Sequence, residues 1–449
     1  MGDFKQAIDY HKKHLSIAKK LGRKDEEGRA YANLGKAYQG LGDFNQAIDY
    51  HNQHLRNAKE LGRRYEEARA YGNLGIAYDV LGEVKLAIEY HKQALSIAKE
   101  LGLRDGEGST CANVGIAYDK LGDFKQAIDY HKQHLSIAKE LGQRHEEGLA
   151  YGNLGNAYRG LGNFKQAIDY LKRALSIAKE LGLKNEEGRA FTNLGVAYRA
   201  LGDIKQAIDY HKEALSVAKK LGRRDKEVLA YANLGNAYQH LGELNQAIDY
   251  HKQHLSIAKE LGQRHEEGLA YGNLGNAHRA LSDFKQAIDY LKEALSIAKE
   301  LGLRYEEGRS YANLGNAYQG LSDFKQAIDC HKQALTIAKK LGRKDEEGSI
   351  YANLGNAYQG LSDFNQAIDY HKQHLSNAKE LGKRNEEAHA YGSLGIAYDN
   401  LGDFQQAIVY HKQALSIVKE LGLRDREEST YSNLGITYGS LGDFKQAID

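Results

Sequence analysis

Residues 31–62, YANLGKAYQGLGDFNQAIDYHNQHLRNAKELG, contain the pattern that decides the fold of this chain. Apolar or small side chains recur three and four positions apart, first from Tyr31 to Leu41 and again from Phe44 to Ala58. That spacing places them on one face of each of two helices. A left-handed residue at Gly42 would end the first helix, and a cap at residue 43, an Asp, would begin the second. The stretch therefore predicts a pair of antiparallel helices.

The same unit returns along the whole chain with a period of forty residues. Its marker, Asn33-Leu34-Gly35, recurs in phase as far as Asn433-Leu434-Gly435, eleven copies in all, with Val114 and Ser393 as the substitutions. Units of this kind bury their apolar faces against their neighbours. The sequence therefore predicts an all-α solenoid of about eleven repeats, with residues 1–449 forming a single domain.

Composition argues against several classes of function. The chain has 62 Lys and Arg against 60 Asp and Glu, a net charge of +2, and hence no basic footprint for nucleic acid or an anionic membrane. No apolar run approaches the roughly 20 residues of a membrane helix. The two cysteines, Cys111 and Cys330, stand where other copies have Tyr, which indicates packing substitutions and not a disulfide. We expect a cytoplasmic protein without nucleic-acid or membrane partners.

The motif Tyr31-x-x-Leu34-Gly35-x-x-Tyr38 resembles the tetratricopeptide repeat signature, with Tyr in place of its Trp. The unit is about six residues longer than the usual 34 of that family. The resemblance implies a right-handed superhelix of antiparallel helix pairs, whose first helices line a concave groove. Repeats of this length look most like two groups. One is the partner-of-inscuteable, or G-protein-signalling modulator, proteins; the other is the tetratricopeptide proteins that carry a caspase-like (CHAT) domain.

Both ends of the chain fall inside a repeat. Residues 1–4 align with residues 41–44, and Asp449 aligns with Asp49. Terminal repeats of a solenoid normally carry a polar capping face. Without one, apolar residues at both ends would be uncovered, namely Phe4, Ala7, Ile8, Phe444, Ala447 and Ile448. We therefore expect a fragment of a longer protein whose ends fray or associate with each other.

The repeats differ most on one face of the first helix, where the resemblance places a groove. The position of Lys36 is Ile in repeats near both ends and mostly Asn between them, and that of Gln39 changes from Asp to Arg in the middle. The sequence predicts an amide-rich, basic central groove with apolar and acidic flanks. Its predicted lining residues are Asn153, Asn156, Arg159, Arg189, Asn193, Arg199, Asn233, Asn236, Asn273, Asn276, Arg279, Arg309, Asn313, Asn316, Asn353 and Asn356.

The chemistry of this groove indicates the ligand. Asparagine side chains can pair with the backbone of an extended peptide, and arginines can hold carboxylates bidentately. We therefore predict a non-enzymatic scaffold that binds an acidic and apolar linear segment of a protein partner. Alternatively, recent duplication copied the asparagines without selection for binding. Two competing functions are the sensor region of a larger enzyme with a caspase-like domain, and a structural array that stacks end to end.

Five repeats contain an H-x-x-H pair, at His11/His14, His51/His54, His131/His134, His251/His254 and His371/His374. The spacing could place two imidazoles on one metal ion. No carboxylate or cysteine is fixed beside them in the pattern, so we interpret them as half-buried packing histidines. No Ser/His/Asp or Cys/His set stands out from the repeat background either. The sequence thus predicts no catalytic residue, no cofactor and no metal site.

Overall fold

The computed structural model describes residues 2–443, and within that range all regular secondary structure is α-helical. The described residues form two compact units, which divide between Arg223 and Arg224. Within each unit, consecutive helices pack against each other in pairs. The predicted all-α array of helix pairs is confirmed, whereas the single domain over residues 1–449 stays a prediction.

Odd-numbered helices correspond to the second helix of a repeat and even-numbered helices to the first. The first unit contains α1 (Gly2–Lys20), α2 (Lys24–Leu41), α3 (Phe44–Glu60), α4 (Arg64–Val80), α5 (Val84–Glu100), α6 (Arg104–Leu121), α7 (Phe124–Glu140), α8 (Arg144–Gly160), α9 (Phe164–Glu180), α10 (Lys184–Leu201) and α11 (Ile204–Lys220). The second unit contains α12 (Arg224–Leu241), α13 (Leu244–Glu260), α14 (Arg264–Ala280), α15 (Phe284–Glu300), α16 (Arg304–Gly320), α17 (Phe324–Lys340), α18 (Lys344–Gly360), α19 (Phe364–Glu380), α20 (Arg384–Leu401), α21 (Phe404–Glu420) and α22 (Arg424–Leu441).

The two helices of a repeat are separated by a turn of the predicted kind. After α2, Gly42 adopts φ of 87°, which only glycine does without strain. The Asp43 side chain then accepts a hydrogen bond of 3.1 Å from the Gln46 N–H and caps α3. The connection to the next repeat is equally short. Gly62 turns at φ of 60°, and α4 begins at Arg64.

Three repeats of the second unit use serine at the turn where the others use glycine. Ser282, Ser322 and Ser362 have φ of 61°, 60° and 60°. A residue with a Cβ pays about 1–2 kcal/mol for this left-handed conformation. The turn is nevertheless kept, because its N–H still reaches the carbonyl three residues back, at 2.9 Å in the case of Ser282 and Arg279.

The core of each repeat lies between its two helices. In the first complete pair, Leu34 and Ala47 are fully buried, and His51 is buried with them. Gly35 makes this close approach possible, because a Cβ at that position would lie 2.3 Å from the His51 ring. Tyr38 stacks on Tyr50 with ring centroids 5.4 Å apart, and this pairing recurs along the chain. The stacked rings therefore help to hold the two helices of a repeat together.

In many repeats, an ion-pair cluster joins the start of the first helix to the end of the second. This cluster was not predicted from the sequence. Arg144, at the start of α8, binds Glu147 on its own helix at 2.8 Å and Glu180 at the end of α9 at 2.7 Å. The same three-residue arrangement is formed by Arg64, Arg104, Arg224, Arg264 and Arg384. Shared hydrogen bonding of this kind orients the two helix ends.

First helices lie on the concave side of each unit. α2 contacts α4, α4 contacts α6, and α12 contacts α14, whereas successive second helices form no comparably close pair in the part of the chain that is described. Neighbouring first helices are therefore closer together than neighbouring second helices. The predicted groove positions lie on these first helices, hereafter the concave strip of each unit.

The expectation of uncovered apolar residues at the chain ends holds only in part. Phe4 is 43% exposed, but Ile8 is 6% exposed because it packs against Ala30 and Leu34 of α2. The expectation for Ile8 is therefore wrong, and Ala7 is half-buried. The corresponding residues at the other end, Phe444, Ala447 and Ile448, lie outside the described residues.

Candidate functional site

The structure places all sixteen predicted groove residues on first helices and divides them between the two units. The first unit holds six of them, Asn153, Asn156 and Arg159 on α8 and Arg189, Asn193 and Arg199 on α10. The second unit holds ten, Asn233 and Asn236 on α12, Asn273, Asn276 and Arg279 on α14, Arg309, Asn313 and Asn316 on α16, and Asn353 and Asn356 on α18. All are half-buried except Arg189 and Arg309, which are exposed. Each unit thus has its own set.

In the first unit, an apolar notch opens between α8, α9 and α10. Its volume is about 30 Å³, enough for the end of a small aliphatic side chain. The predicted residues Arg189 and Asn193 form part of its wall. Its remaining lining residues are His145, Gly148, Leu149, Gly152, Leu171, Ala174, Ile177, Ala178, Leu183, Glu186 and Ala190.

The notch exists because small residues on two helices face each other. Gly148 and Gly152 lie one turn apart on α8, and Ala174 faces them from α9. A Cβ added at Gly152 would lie 4.0 Å from the Ala174 Cβ, an ordinary contact, so the space there is real. In repeats with a second histidine, such as His134, an imidazole occupies the place of Ala174. This site was not predicted from the sequence, although small residues at all three positions can be seen when the repeats are aligned.

The second unit contains an equivalent notch between α14, α15 and α16, with a volume of about 20 Å³. Gly268, Gly272 and Ala294 are its small residues, and Arg309 and Asn313 stand where Arg189 and Asn193 stand in the first unit. The other lining residues are His265, Leu269, Asn276, Ile297, Ala298, Leu303, Glu306 and Ser310. The two notches are three repeats apart in sequence.

Polar atoms without a partner mark the same first helices. On α8, the Asn156 Oδ1 and the Arg159 Nε are shielded from solvent and make no hydrogen bond, and on α14 the same is true of the Asn276 Oδ1 and the Arg279 Nε. An unpaired buried polar atom costs about 1–3 kcal/mol. The side chains that carry these atoms are half-exposed, so a small rotation can bring them to a ligand. Positions 152, 156 and 159 share one face of α8.

The predicted acidic flanks stay a prediction. Each of their carboxylates bonds to a neighbouring helix through one oxygen, while the Oδ1 atoms of Asp79, Asp119 and Asp399 are buried without a hydrogen-bond partner. Asp79 binds Lys120 at 2.6 Å, and Asp119 binds the Nε2 of His131 at 3.0 Å. Asp399 accepts a hydrogen bond from Thr437 at 2.9 Å and also faces His411. These groups stabilise neighbouring helices. The apolar flanks, by contrast, are exposed as predicted, for example at Ile76, Ile116, Ile396 and Ile436.

The histidine prediction is wrong in two respects. Both rings are buried in four of the five H-x-x-H pairs, those that begin at His51, His131, His251 and His371. A carboxylate also faces every second histidine, because the next helix places a glutamate opposite it. The pairs, with their Nε2–Oε2 distances, are His14–Glu26 (3.3 Å), His54–Glu66 (3.1 Å), His134–Glu146 (3.2 Å), His254–Glu266 (3.1 Å) and His374–Glu386 (3.5 Å).

The first histidine of these four pairs, and its equivalents in other repeats, belongs to the core. Burial lowers the pKa to about 4 for His51, His91, His211, His251, His331 and His371. Leu171 and Leu291 occupy this position in two repeats and are fully buried. A neutral imidazole therefore takes the place of an aliphatic side chain.

The cysteines are free thiols, as predicted, and burial raises the pKa of Cys111 and of Cys330 to about 11. These thiols are therefore protonated and unreactive near neutral pH. None of the helices in the described part of the chain has the length and apolar character needed to cross a membrane.

Comparison with known proteins identifies the repeat. The family model described as tetratricopeptide repeat matches residues 1–60, 62–140, 143–220, 226–300, 306–380, 346–420 and 386–449. A comparison with curated proteins gave no match.

Three solved structures are similar in fold. A signal transduction ATPase with numerous domains (STAND) from Pyrococcus horikoshii, with a tetratricopeptide repeat sensor, has a TM-score of 0.57 at 18% identity over 81% of this chain and 55% of its own. The apo quorum sensor NprR from B. thuringiensis has a TM-score of 0.53 at 16% identity, over 76% and 99%. Aspartyl phosphate phosphatase F from Bacillus subtilis has a TM-score of 0.51 at 16% identity, over 76% and 90%. This chain spans about half the length of the ATPase. Such identities show a shared fold alone, and the family model carries the assignment: the chain belongs to the tetratricopeptide repeat family.

Proposed function

We propose that each unit binds a linear peptide segment of a protein partner on its concave strip, and that the protein acts as a non-enzymatic interaction scaffold. The peptide is extended, with a small aliphatic side chain that enters the notch and a carboxylate that binds the neighbouring arginine. The observation that carries this proposal is the recurrence of one arrangement in both units. In each unit, the first helix that supplies the notch glycines also carries an unpaired asparagine oxygen and an unpaired arginine Nε further along the same face, at Asn156 and Arg159 on α8 and at Asn276 and Arg279 on α14.

The unpaired atoms favour a ligand with both backbone and acidic character. An asparagine Oδ1 accepts from a peptide N–H, and a guanidinium donates to a carboxylate. Hydrogen bonds that involve a charged group contribute about 1.5–3 kcal/mol each. Satisfying the Arg159 Nε and the Asn156 Oδ1 also removes the cost of leaving them unpaired. Arg189, exposed at the notch wall, adds a second cation for an acidic segment.

The test is a fluorescence-polarisation titration of acidic, aliphatic peptides against the wild type and the double variant R159E/R279E, which alters one site in each unit. We expect affinity to fall by about 100-fold, since attraction of the carboxylate becomes repulsion. Helicity is expected to be unchanged because both side chains are half-exposed. Raising the salt concentration should weaken wild-type binding, because it screens exposed charges.

Gln319→Glu is the matched control. Gln319 occupies on α16 the position that Arg279 has on α14, so the control introduces a glutamate at the equivalent position, one repeat away from the notch glycines, without removing an arginine. A double variant that keeps wild-type affinity would show that the peptide binds elsewhere. If Q319E lost as much peptide affinity as the double variant, the loss would come from general repulsion between negative charges and not from a specific site.

The partner class divides this proposal into two narrower ones. A polarity or spindle-orientation adaptor of the partner-of-inscuteable type would carry motifs for G-protein α subunits beyond residue 449. A sensor for a larger enzyme would instead carry a caspase-like domain with a Cys/His pair. The full-length transcript distinguishes the two.

Self-association through the ends is a separate possibility, and light scattering tests it. A protein that remains monomeric at high concentration excludes it.

A further inference from the structure

One repeat extends the recurrent His–Glu pair to three metal-binding side chains. In the other repeats that contain the pair, the residue three positions after the glutamate is an arginine or a leucine, namely Arg29, Arg69, Leu149 and Leu269. After Glu386 it is His389. Glu386 and His389 lie in the first two turns of α20, and their spacing of three places them on one face. His374 reaches them from α19.

The three side chains converge. The His374 Nε2 lies 3.5 Å from the Glu386 Oε2, and the rings of His374 and His389 meet edge to face with centroids 5.7 Å apart. One ligand atom from each residue can be chosen so that all three lie within 4.8 Å of one another. Among the described residues, this is the one group of three or more His, Cys, Asp or Glu side chains that meets this distance.

We propose that His374, Glu386 and His389 form a binding site for a divalent transition-metal ion, with Zn²⁺ the best match. Two imidazoles and one carboxylate suit Zn²⁺ and its first-row neighbours, whereas Ca²⁺ and Mg²⁺ prefer sets of oxygen ligands. Tetrahedral bonds of about 2.0–2.1 Å require ligand atoms roughly 3.3 Å apart, so the side chains need to close by at most about 1.5 Å. Glu386 and His389 are exposed and free to make this movement. One coordination position remains for water or a ligand.

An ion can reach the three side chains from solvent. His389 lines an open cavity of about 210 Å³ between α20, α21 and α22, which gives an ion access to the site.

Neighbouring charges set a limit on the affinity. Glu387 is held by Arg384 at 2.7 Å and is not an additional ligand. Arg426 borders the same cavity, where its guanidinium donates to the Asn385 Oδ1 at 2.8 Å, and its positive charge acts on His389. The R426A variant is therefore expected to bind the ion several-fold more tightly.

The chain itself supplies matched variants for the test. His389→Leu introduces the residue that other repeats have at this position, Leu149 and Leu269, so the fold tolerates it. His371→Leu removes the first histidine of the same H-x-x-H pair and introduces the residue found at Leu171 and Leu291. Leu269→His completes a second site beside His254 and Glu266, which lie 3.1 Å apart.

The measurement is isothermal titration of the chelator-treated full chain with Zn²⁺, combined with the visible spectrum of the Co²⁺ form, which reports coordination geometry. We expect one tight site in the wild type, at least 100-fold weaker binding in H389L, unchanged binding in H371L, and a second site in L269H. Circular dichroism checks that each variant is folded.

Two results would overturn the proposal. One is wild-type affinity in folded H389L, which would remove His389 from the site. The other is binding of about five metal ions per chain, with one ion lost in H371L. That result would mean that the H-x-x-H pairs or the His–Glu pairs bind metal without a third ligand. A tetrahedral Co²⁺ spectrum that is lost in H389L and gained in L269H supports the site directly.

Discussion

Two neighbouring repeats of the second unit, α14–α15 and α16–α17, place unsatisfied polar atoms on opposite sides of one helical framework. In α14–α15 these atoms belong to Asn276 and Arg279 on the concave strip, and the core position is Leu291. In α16–α17 the core position is His331, and neither of its ring nitrogens has a partner. The comparison shows that one repeat framework can place unpaired polar atoms either on the surface, where a ligand can reach them, or in the core. The first arrangement favours binding, and the second makes stability depend on pH.

The largest expected effect comes from moving the core histidine. Leu291→His replaces a fully buried aliphatic side chain by an imidazole without partners, so we expect a loss of about 3 kcal/mol in the free energy of unfolding at pH 7. The loss should grow as the pH falls, because the unfolded chain then binds a proton that the folded chain excludes. Thermal unfolding at pH 7 and pH 5 measures both. An unchanged Tm would mean that the core is loosely packed at Leu291.

A transplanted notch is the next test. Ala312→Gly with Gln319→Arg gives α16 the two glycines and the arginine of α14, opposite Ala334 on α17. We expect a new peptide site whose gain of about 2 kcal/mol matches one charge-assisted hydrogen bond. Titration calorimetry reports it as one added equivalent of peptide. If the stoichiometry stays at the wild-type value, the notch and the arginine are insufficient.

The reverse core exchange, His331→Leu, should stabilise the protein. Removing two unpaired ring nitrogens is expected to add about 1–2 kcal/mol at pH 7. Burial lowers the pKa of His331 from 6.5 to about 4. The wild type therefore keeps its full stability above about pH 6.5 and loses up to about 3 kcal/mol through this residue as the pH falls to 4.

The H331L variant should escape that loss and unfold at lower pH, as followed by circular dichroism during acid titration. A pH dependence identical to that of the wild type would show that folding does not lower the pKa of His331. Leu171 and Leu291 show that the framework accepts leucine at this position.

The smallest expected effect tests the notch itself. Gly272→Ala places a methyl group 4.0 Å from the Ala294 Cβ, without strain, and replaces glycine inside a helix. We expect about 0.5–1 kcal/mol of added stability and a several-fold loss of peptide affinity. Gly392→Ala on α20 is the control, since a Cβ there meets nothing within 4 Å and lies outside the notch. Equal peptide affinity in both variants would argue against an aliphatic side chain in the notch.

Much of the fold was predictable from the repeat. The forty-residue period, the glycine turn at Gly42 and the cap at Asp43 are local signals, and the structure contains each of them. The sixteen predicted groove residues all fall on first helices as expected, and their role in binding stays a prediction. The sequence did not predict which polar atoms on these helices have hydrogen-bond partners and which do not. Asp119 and Arg159 occupy equivalent positions, yet the Asp119 Oδ2 bonds to His131, whereas the Asp119 Oδ1 and the Arg159 Nε have no partner.

The sequence by itself determined the period, the helix pairs, their caps and the faces on which apolar and polar residues lie, because these follow from spacings of three and four within one helix. The tertiary structure alone decided which polar atoms found partners. Glu66 faces His54 from the following helix, and the notch opens only where Gly148 and Gly152 meet Ala174 of another helix. Such outcomes depend on the distance and direction between side chains of different helices, and the spacing along one helix does not encode them.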